Sequence, residues 1–325
     1  MVFIKLEQLV NAMAGDRPFC RNLRKYYDLS ISKKKTYLED AAGTYLFNGL
    51  PEKVANILKN GFFLGLHAED IKDWDVVSRY FQENSRIIPA LRANPGTYTM
   101  LEQMYHFKKV SGVVDNYFLK SIAGGQALKC RYEIINKKMK EHVDVILKGQ
   151  KECFILDIGS GPGRNCVDVC RENPHWNGSV KIECIDIDEE AIFLGEKLVR
   201  QHGIKQIVFV KETMTRLRKR YPKNVDYALL IGILCSLTYS EKVKLLKRIR
   251  HYFKPGGKLV AAALTVEMAR KDLLCSYILR ELCGWGLQYP DFGELKKAFE
   301  DAGWKYGGFF QEEPTKLYEI VIGIA

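Results

Sequence analysis

The stretch Ile155–Asn165, ILDIGSGPGRN, places three glycines at alternate positions behind an aspartate. Gly159, Gly161 and Gly163 follow an apolar run, and glycine suits a backbone that turns tightly or comes close to a ligand. A glycine turn between a strand and a helix is typical of nucleotide-binding proteins. The turn alone leaves three ligands open: a dinucleotide, a nucleoside triphosphate, or a nucleoside without phosphate.

The absence of one motif and the presence of two carboxylates reduce the number of possible ligands. No Gly-Lys-Ser/Thr sequence is present in the turn, which excludes a phosphate-clamping P-loop. Asp157 lies two residues before Gly159, where its charge would repel a pyrophosphate but would suit a cationic amino or sulfonium group. Asp186 ends a second apolar run, where a carboxylate can accept hydrogen bonds from ribose hydroxyls. These features favour a cationic nucleoside.

The elements that must position these residues lie after residue 150. Apolar segments there alternate with amphipathic helices, which predicts strand–helix–strand crossovers and a parallel sheet covered on both faces. The predicted strands are 153–158, 180–186, 206–211, 225–231 and 258–264. A last helix precedes two strands, 304–313 and 316–325, whose short connection requires antiparallel pairing. We therefore predict an α/β fold with five parallel strands and a C-terminal antiparallel hairpin.

The first part of the chain has a different texture. Its apolar residues recur at helical spacing, as in 50–63, where Val54 and Phe62 share a face and Gly61 is predicted to stop the helix. We predict a mainly helical domain over residues 1–145, serving as lid and acceptor pocket. The cofactor domain is predicted over residues 146–325.

Taken together, these motifs resemble the class I S-adenosylmethionine-dependent methyltransferases over roughly residues 150–325. The resemblance implies a Rossmann-like, seven-stranded sheet with S-adenosylmethionine as cofactor. The glycine turn would frame its methionine portion, Asp186 would bind its ribose and Ile187 would pack on its adenine. The cofactor residues predicted in this way are Asp157, Gly159, Ser160, Gly161, Gly163, Asp186, Ile187, Thr213, Met214 and Ile231. The family often has an aspartate for the adenine amino group where this chain offers Thr213 and Met214.

Arg131 lies on a helix that leads into the first predicted strand. In the family such a helix often covers the cofactor, so Arg131 is a candidate partner for the methionine carboxylate; a surface salt bridge is the alternative. Asp188 follows Asp186 closely, and its position before a helix predicts an N-cap.

The sequence indicates less about the methyl acceptor than about the methyl donor. Methyl transfer from a sulfonium is an in-line displacement, and it needs a general base only when the acceptor must lose a proton. No catalytic residue is therefore assigned. The fourth strand lacks the Asn/Asp-Pro-Pro-Tyr/Phe motif of the family's amino-methylating enzymes, which favours a small-molecule substrate over nucleic acid. Candidate acceptor contacts, with plain packing as the alternative, are Tyr105, Tyr117, Trp285 and Tyr289.

Two further resemblances bear on the acceptor and on the group transferred. Residues 97–140 are loosely similar to 3-hydroxypalmitic acid methyl ester synthases, which implies a carboxylate or hydroxyl on a lipid-like molecule. The region 185–199 is similar to nicotianamine synthase-like enzymes, which transfer the aminobutanoyl group of the same cofactor. A cofactor-binding scaffold without catalysis is the third alternative.

Composition adds weaker limits. The net charge of +11 includes basic clusters at 33–35 and 216–223, which we interpret as solvated faces rather than a nucleic-acid or lipid surface. No apolar run approaches the length of a membrane span. Nine cysteines lack metal-type pairing, so we predict reduced thiols, no metal and a cytoplasmic protein. The oligomeric state is not predicted.

Overall fold

The chain divides into two units in the computed structural model. The residues described are 40–93, 96, 98–106, 112–213, 223–285 and 287–325. The first unit comprises Met1–Lys129, Leu264–Asp291 and Glu313–Leu317, and the second Cys130–Ala263, Phe292–Glu312 and Tyr318–Ala325.

Helices dominate the first unit and flank the strands of the second. In chain order they are α1 Ala41–Gly49, α2 Glu52–Leu64, α3 Trp74–Glu83, α4 Ile87–Ala93, α5 Tyr98–His106, α6 Val113–Lys120, a π-helix Ile122–Gln126, α7 Ala127–Gly149, α8 Arg164–Glu172, α9 Glu189–Gln201, α10 Tyr239–Arg250, α11 Glu267–Lys271, α12 Leu273–Glu281 and α13 Glu294–Asp301. None of these described helices combines the length and apolar character that a membrane span requires.

The end of α2 corrects one prediction. The helix continues past Gly61 and ends at Gly65, which adopts a left-handed conformation and donates its N–H to the carbonyls of Gly61 and Phe62. Gly61 is small for another reason. A methyl group there would approach the side chain of Ile71 to 2.4 Å and the hydroxyl of Tyr277 to 2.6 Å. The predicted stop at Gly61 is therefore wrong, because close packing and not chain reversal requires this glycine.

Residues beyond the fifth strand complete the first unit. The Glu281 carboxylate on α12 accepts the Ala68 N–H at 2.7 Å, and the Tyr277 hydroxyl donates to the Leu66 carbonyl at 3.0 Å. These bonds join segments more than 200 residues apart. Each contact unit is thus made of three chain segments, whereas the sequence predicts one domain boundary between residues 145 and 146. That boundary stays a prediction.

The second unit is built on one seven-stranded sheet. Its strands are β1 Cys153–Ile158, β2 Val180–Asp186, β3 Ile207–Lys211, β4 Val225–Leu230, β5 Phe253–Leu264, β6 Lys305–Phe310 and β7 Tyr318–Ile324. Their order is β3-β2-β1-β4-β5-β7-β6. The first five pair in parallel, and β6 and β7 pair antiparallel. The predicted fold is confirmed.

The centre of the sheet determines where a ligand can bind. Strands β1 and β4 are almost entirely buried, as expected for apolar strands covered on both faces. From β1 the chain steps outward to β3 and then returns to β4 on the other side of β1. Such a reversal leaves a crevice at the carboxyl ends of the two strands, and ligands of open α/β sheets bind there. The glycine turn lies at the carboxyl end of β1.

Candidate functional site

The glycine turn joins β1 to α8 through three left-handed glycines. Gly159, Gly161 and Gly163 have φ values of 65°, 54° and 64°. A methyl group at Gly159 would meet Ile233 Cδ1 at 2.2 Å, and one at Gly163 would meet Cys184 Sγ at 2.9 Å. Both the backbone conformation and the neighbours therefore require glycine. Ser160 lies within the turn and donates its hydroxyl to the Gly161 carbonyl at 3.1 Å.

The carboxylate of Asp186, at the end of β2, forms a hydrogen bond with this turn. Its Oδ2 accepts the Gly161 N–H at 2.7 Å, and its Oδ1 accepts the N–H groups of Ile187 and Asp188 at 2.8 and 3.0 Å. The N–H groups of Gly159 and Ser160 add bonds to the Ile185 carbonyl. Charge-assisted bonds of this kind are stronger than neutral ones. The carboxylate predicted to bind ribose thus also holds the turn in shape.

Asp157 lies below the turn, almost completely buried. Its Oδ2 accepts a hydrogen bond from the Cys166 thiol at 3.5 Å. Burial raises the pKa of Asp157 to about 7; the Cys166 thiol lowers it and the neighbouring charge of Asp186 raises it further. The structure therefore brings Asp157 against α8 and β2.

The predicted adenine side follows β2 and β3. Ile187 is 66% exposed at the carboxyl edge of the sheet, so an apolar surface is available beside Asp186. Asp188 accepts the N–H groups of Glu190 and Ala191, which confirms the predicted N-cap. Thr213 is half-buried, and Met214 lies outside the described residues.

Sequence reasoning overlooked Glu212, which directly follows β3. Its Oε1 accepts the Thr213 N–H at 2.9 Å, and its own N–H donates to the Asp186 carbonyl at 3.0 Å. An acid is therefore present one residue before the predicted hydroxyl. The position of a carboxylate immediately after the third strand was the signal that could have found it.

Arg131 and Ile231 belong to the same unit. Ile231 is half-buried and directly follows β4. Arg131, on α7, is only 3% exposed, which contradicts its alternative as a surface salt bridge. Its guanidinium carbon lies 4.7 Å from the centre of the Tyr318 ring. Its charge lowers the pKa of the Cys235 thiol, although burial dominates and leaves that pKa raised. Cys235 is thus a packed thiol.

The acceptor candidates all lie in the first unit. Tyr105 and Trp285 are half-buried, and Trp285 packs near Gly96. Tyr289 is 2% exposed and has a φ of 36°, a conformation that is uncommon for a non-glycine residue and clusters at functional sites. Tyr117 is 1% exposed.

The Tyr117 hydroxyl is buried and has no hydrogen-bond partner among the described residues. Burial raises its pKa, with further contributions from Asp272, Cys275 and Asp40. Asp272 is also buried, and its carboxylate accepts the N–H groups of Ala123 and Cys275 at 2.9 and 3.2 Å. Burial raises the pKa of Asp272 to about 7.

The two units therefore offer different chemical groups to a ligand. The second unit offers backbone N–H groups, a carboxylate and an exposed isoleucine at the carboxyl ends of neighbouring strands, which suits a nucleoside without phosphate. The first unit offers, among its apolar helices, a buried hydroxyl that has no hydrogen-bond partner in the part of the chain that the structure describes. Such a hydroxyl loses hydrogen-bond energy unless a ligand or water supplies an acceptor or donor.

Comparison with known proteins gives a family match for the part of the chain that carries the glycine turn. Residues 150–299 match the model of a methyltransferase domain family. No curated protein sequence matches the chain.

Solved structures show the same fold at low sequence identity. A possible exported protein from Bordetella parapertussis is 15% identical, with a TM-score of 0.66, and the match covers 88% of this chain and 97% of that one. A magnesium protoporphyrin IX methyltransferase from Synechocystis, solved with bound S-adenosylhomocysteine, is 12% identical, with a TM-score of 0.50 and coverage of 78% and 99%. At these identities the likeness concerns the fold. Together with the family match and the glycine turn, it identifies residues 150–299 as a class I S-adenosylmethionine-dependent methyltransferase domain.

Proposed function

We propose that this enzyme transfers the methyl group of S-adenosylmethionine to a hydroxyl or carboxylate oxygen of a small, lipid-like molecule. The observation that carries the proposal is the buried Tyr117 hydroxyl, which has no partner among the described residues and lies in a unit of apolar helices. An oxygen of the acceptor would accept a hydrogen bond from this hydroxyl, and the surrounding helices would bury the acceptor's apolar part.

The reaction requires little from the protein beyond position. The acceptor oxygen attacks the methyl carbon, the carbon–sulfur bond breaks, and the electron pair returns to sulfur to give neutral S-adenosylhomocysteine. A carboxylate acceptor is already ionised and releases no proton, whereas a hydroxyl must lose one to a base or to water. Holding the acceptor in line and out of water supplies most of the acceleration. This agrees with a chain for which no general base is assigned.

The cofactor roles follow from the geometry of the second unit. Asp186 would bind the ribose hydroxyls while keeping the turn in shape, and Ile187 would pack against adenine. Glu212 or Thr213 would contact the adenine amino group. The buried guanidinium of Arg131 would pair with the methionine carboxylate, as a charge-assisted bond in a dry environment is strong.

Several residues support a small acceptor rather than a nucleic acid. The segment after β4 carries Ile231, Gly232 and Ile233. None of these side chains can form a hydrogen bond with the exocyclic amino group of a nucleic-acid base. Tyr289 and Trp285 add aromatic surface to the first unit. An apolar surface with few polar groups is typical of sites for small, largely apolar molecules.

The test is incubation of the full chain with methyl-labelled S-adenosylmethionine and separated fractions of a cell extract. We expect label in an organic-extractable ester or ether, with one S-adenosylhomocysteine released per methyl transferred. Label in RNA, DNA or protein would contradict the proposed acceptor. Release of methylthioadenosine would instead indicate aminobutanoyl transfer. Cofactor binding without turnover in any fraction would leave the scaffold as the better account.

A further inference from the structure

The second unit contains a buried cluster of metal-ligating side chains below the glycine turn. Asp157 comes from β1, Cys166 from α8 and Cys184 from β2, and one ligand atom of each lies within 4.8 Å of the other two. In the sheet, Asp157 and Cys184 are direct neighbours across the β1–β2 pair. We name these three residues the thiol–carboxylate cluster.

The cluster has the ligand chemistry of a thiophilic divalent ion. Tetrahedral zinc binds thiolate sulfur at about 2.3 Å and carboxylate oxygen at about 2.0 Å, so its ligand atoms are about 3.5–3.8 Å apart. Contraction by about 1 Å from the observed upper separation would reach that geometry. Side-chain rotations could supply such a shift without rebuilding the sheet.

The buried carboxyl group of this cluster has no basic partner in the part of the chain that the structure describes. Asp157 forms no ion pair there with a lysine or arginine, and its Oδ2 accepts a hydrogen bond from the Cys166 thiol at 3.5 Å. A carboxylate isolated in a protein interior is costly unless it is protonated, paired or bound to a metal.

A second observation points into the same place. Tyr227, on β4, is completely buried, and its hydroxyl has no hydrogen-bond partner among the described residues. In the β1–β4 pair Tyr227 lies opposite Ile155, two residues before Asp157, so its side chain is on the same face of the sheet as that of Asp157. An orphaned hydroxyl beside three potential ligands suggests a missing fourth partner.

We propose that the thiol–carboxylate cluster binds one zinc-like divalent cation, with the Tyr227 hydroxyl, directly or through a water, in the remaining position. Binding releases the two thiol protons to solvent and leaves two thiolates and one carboxylate on the metal. The ion would join β1, β2 and α8 immediately below the glycine turn. It would act as a structural tie and needs no part in methyl transfer.

The test is calorimetric titration of the reduced, metal-free full chain with zinc chloride in the absence of cofactor. We expect one ion per chain for the unaltered protein and for Cys170→Ser, a buried thiol on the same helix outside the cluster. Cys166→Ser and Cys184→Ser should each weaken binding at least 10-fold. No binding, or equal binding in all these variants, would overturn the proposal.

A second measurement covers the case in which the serine variants do not fold. Cobalt(II) added to the unaltered chain should give the intense visible bands of a tetrahedral site together with thiolate-to-cobalt charge transfer. The weak spectrum of a six-coordinate oxygen site would contradict the cluster. A Cys166–Cys184 disulfide found by mass spectrometry in the chain purified without reductant, with no metal uptake after reduction, would also overturn it.

Discussion

The glycine turn and the region around Tyr117 and Asp272, which we call the Tyr117–Asp272 region, are held together by different kinds of contact. Around the turn, backbone groups make most of the contacts, and Gly159, Gly161 and Asp186 come from two neighbouring strand ends. Around Tyr117, side chains make the contacts, and Asp272 reaches Ala123 across 149 residues of sequence. A site built from backbone groups tolerates few substitutions, and a short sequence motif is enough to predict it. One built from distant side chains can be altered one residue at a time, which suits the part of an enzyme that selects its substrate.

The largest expected effect tests the side-chain region through pH. Asp272 has a folded-state pKa raised to about 7 by burial, so the folded chain retains a proton that the unfolded chain loses near pH 4. Stability should therefore fall as pH rises from about 4 to about 7, by up to about 4 kcal/mol, and then level off. Asp157, whose pKa burial also raises to about 7, contributes a slope over the same range. Asp272→Asn should therefore remove about half of the combined slope in urea unfolding, measured across the pH range.

The control for Asp272 is Asp70→Asn, which removes an exposed acid of the same unit. It should keep the slope of the unaltered protein. Equal slopes for the unaltered chain and for Asp272→Asn would mean that the buried carboxyl is compensated and that the region does not depend on it.

The next effect tests the backbone region. Gly159→Ala combines a left-handed φ with a clash against Ile233, whereas Gly203→Ala has nearly the same φ, 64°, and open space around the new methyl group. We expect about 3 kcal/mol of destabilisation for the first and about 1 kcal/mol for the second, by thermal or urea unfolding. Trimming the neighbour in Gly159→Ala/Ile233→Ala should recover part of the difference. Equal losses at both glycines would remove the packing argument.

Asp186 gives a somewhat smaller effect, measured on cofactor binding. Asp186→Ala removes the acceptor of the Gly161 N–H and the proposed ribose contacts, so affinity for S-adenosylmethionine should fall by about 2–3 kcal/mol, or roughly 30- to 150-fold. Asp188→Ala removes a helix cap close by and should cost about 1 kcal/mol of stability with unchanged affinity. If calorimetry finds the two variants alike, the ribose assignment fails.

The smallest effect concerns the acceptor. Tyr117→Phe removes a hydroxyl that has no partner among the described residues, so stability should stay within about 0.5 kcal/mol or improve, while acceptor turnover falls about 10-fold. Tyr277→Phe removes a hydroxyl bonded to the Leu66 carbonyl and should show the reverse pattern. Steady-state kinetics with the labelled acceptor fraction would distinguish them. Normal turnover in Tyr117→Phe would exclude its hydroxyl from acceptor binding.

The predictability of the chain follows the same contrast. Strands β1 and β2 begin and end at the predicted residues, because apolar β-branched runs are bounded by glycine and aspartate. The predicted stop at Gly61 was wrong because the side chains of Ile71 and of Tyr277, the latter distant in sequence, decide that position. Neither the Tyr117–Asp272 region nor the thiol–carboxylate cluster could be predicted, since each joins elements whose spacing in sequence carries no periodic signal.

The position of β7 in the sheet has a consequence for biosynthesis. This strand lies between β5 and β6, so β6 has no strand to pair with until the residues after it have been made. A ribosome delivers the chain from its N-terminus, and parallel pairs from β1 to β5 can form while it does so. The last part of the sheet cannot close in that order. Strands β6 and β7 can therefore join the sheet only together, and until β7 has been made the edge of β5 that it covers stays unpaired.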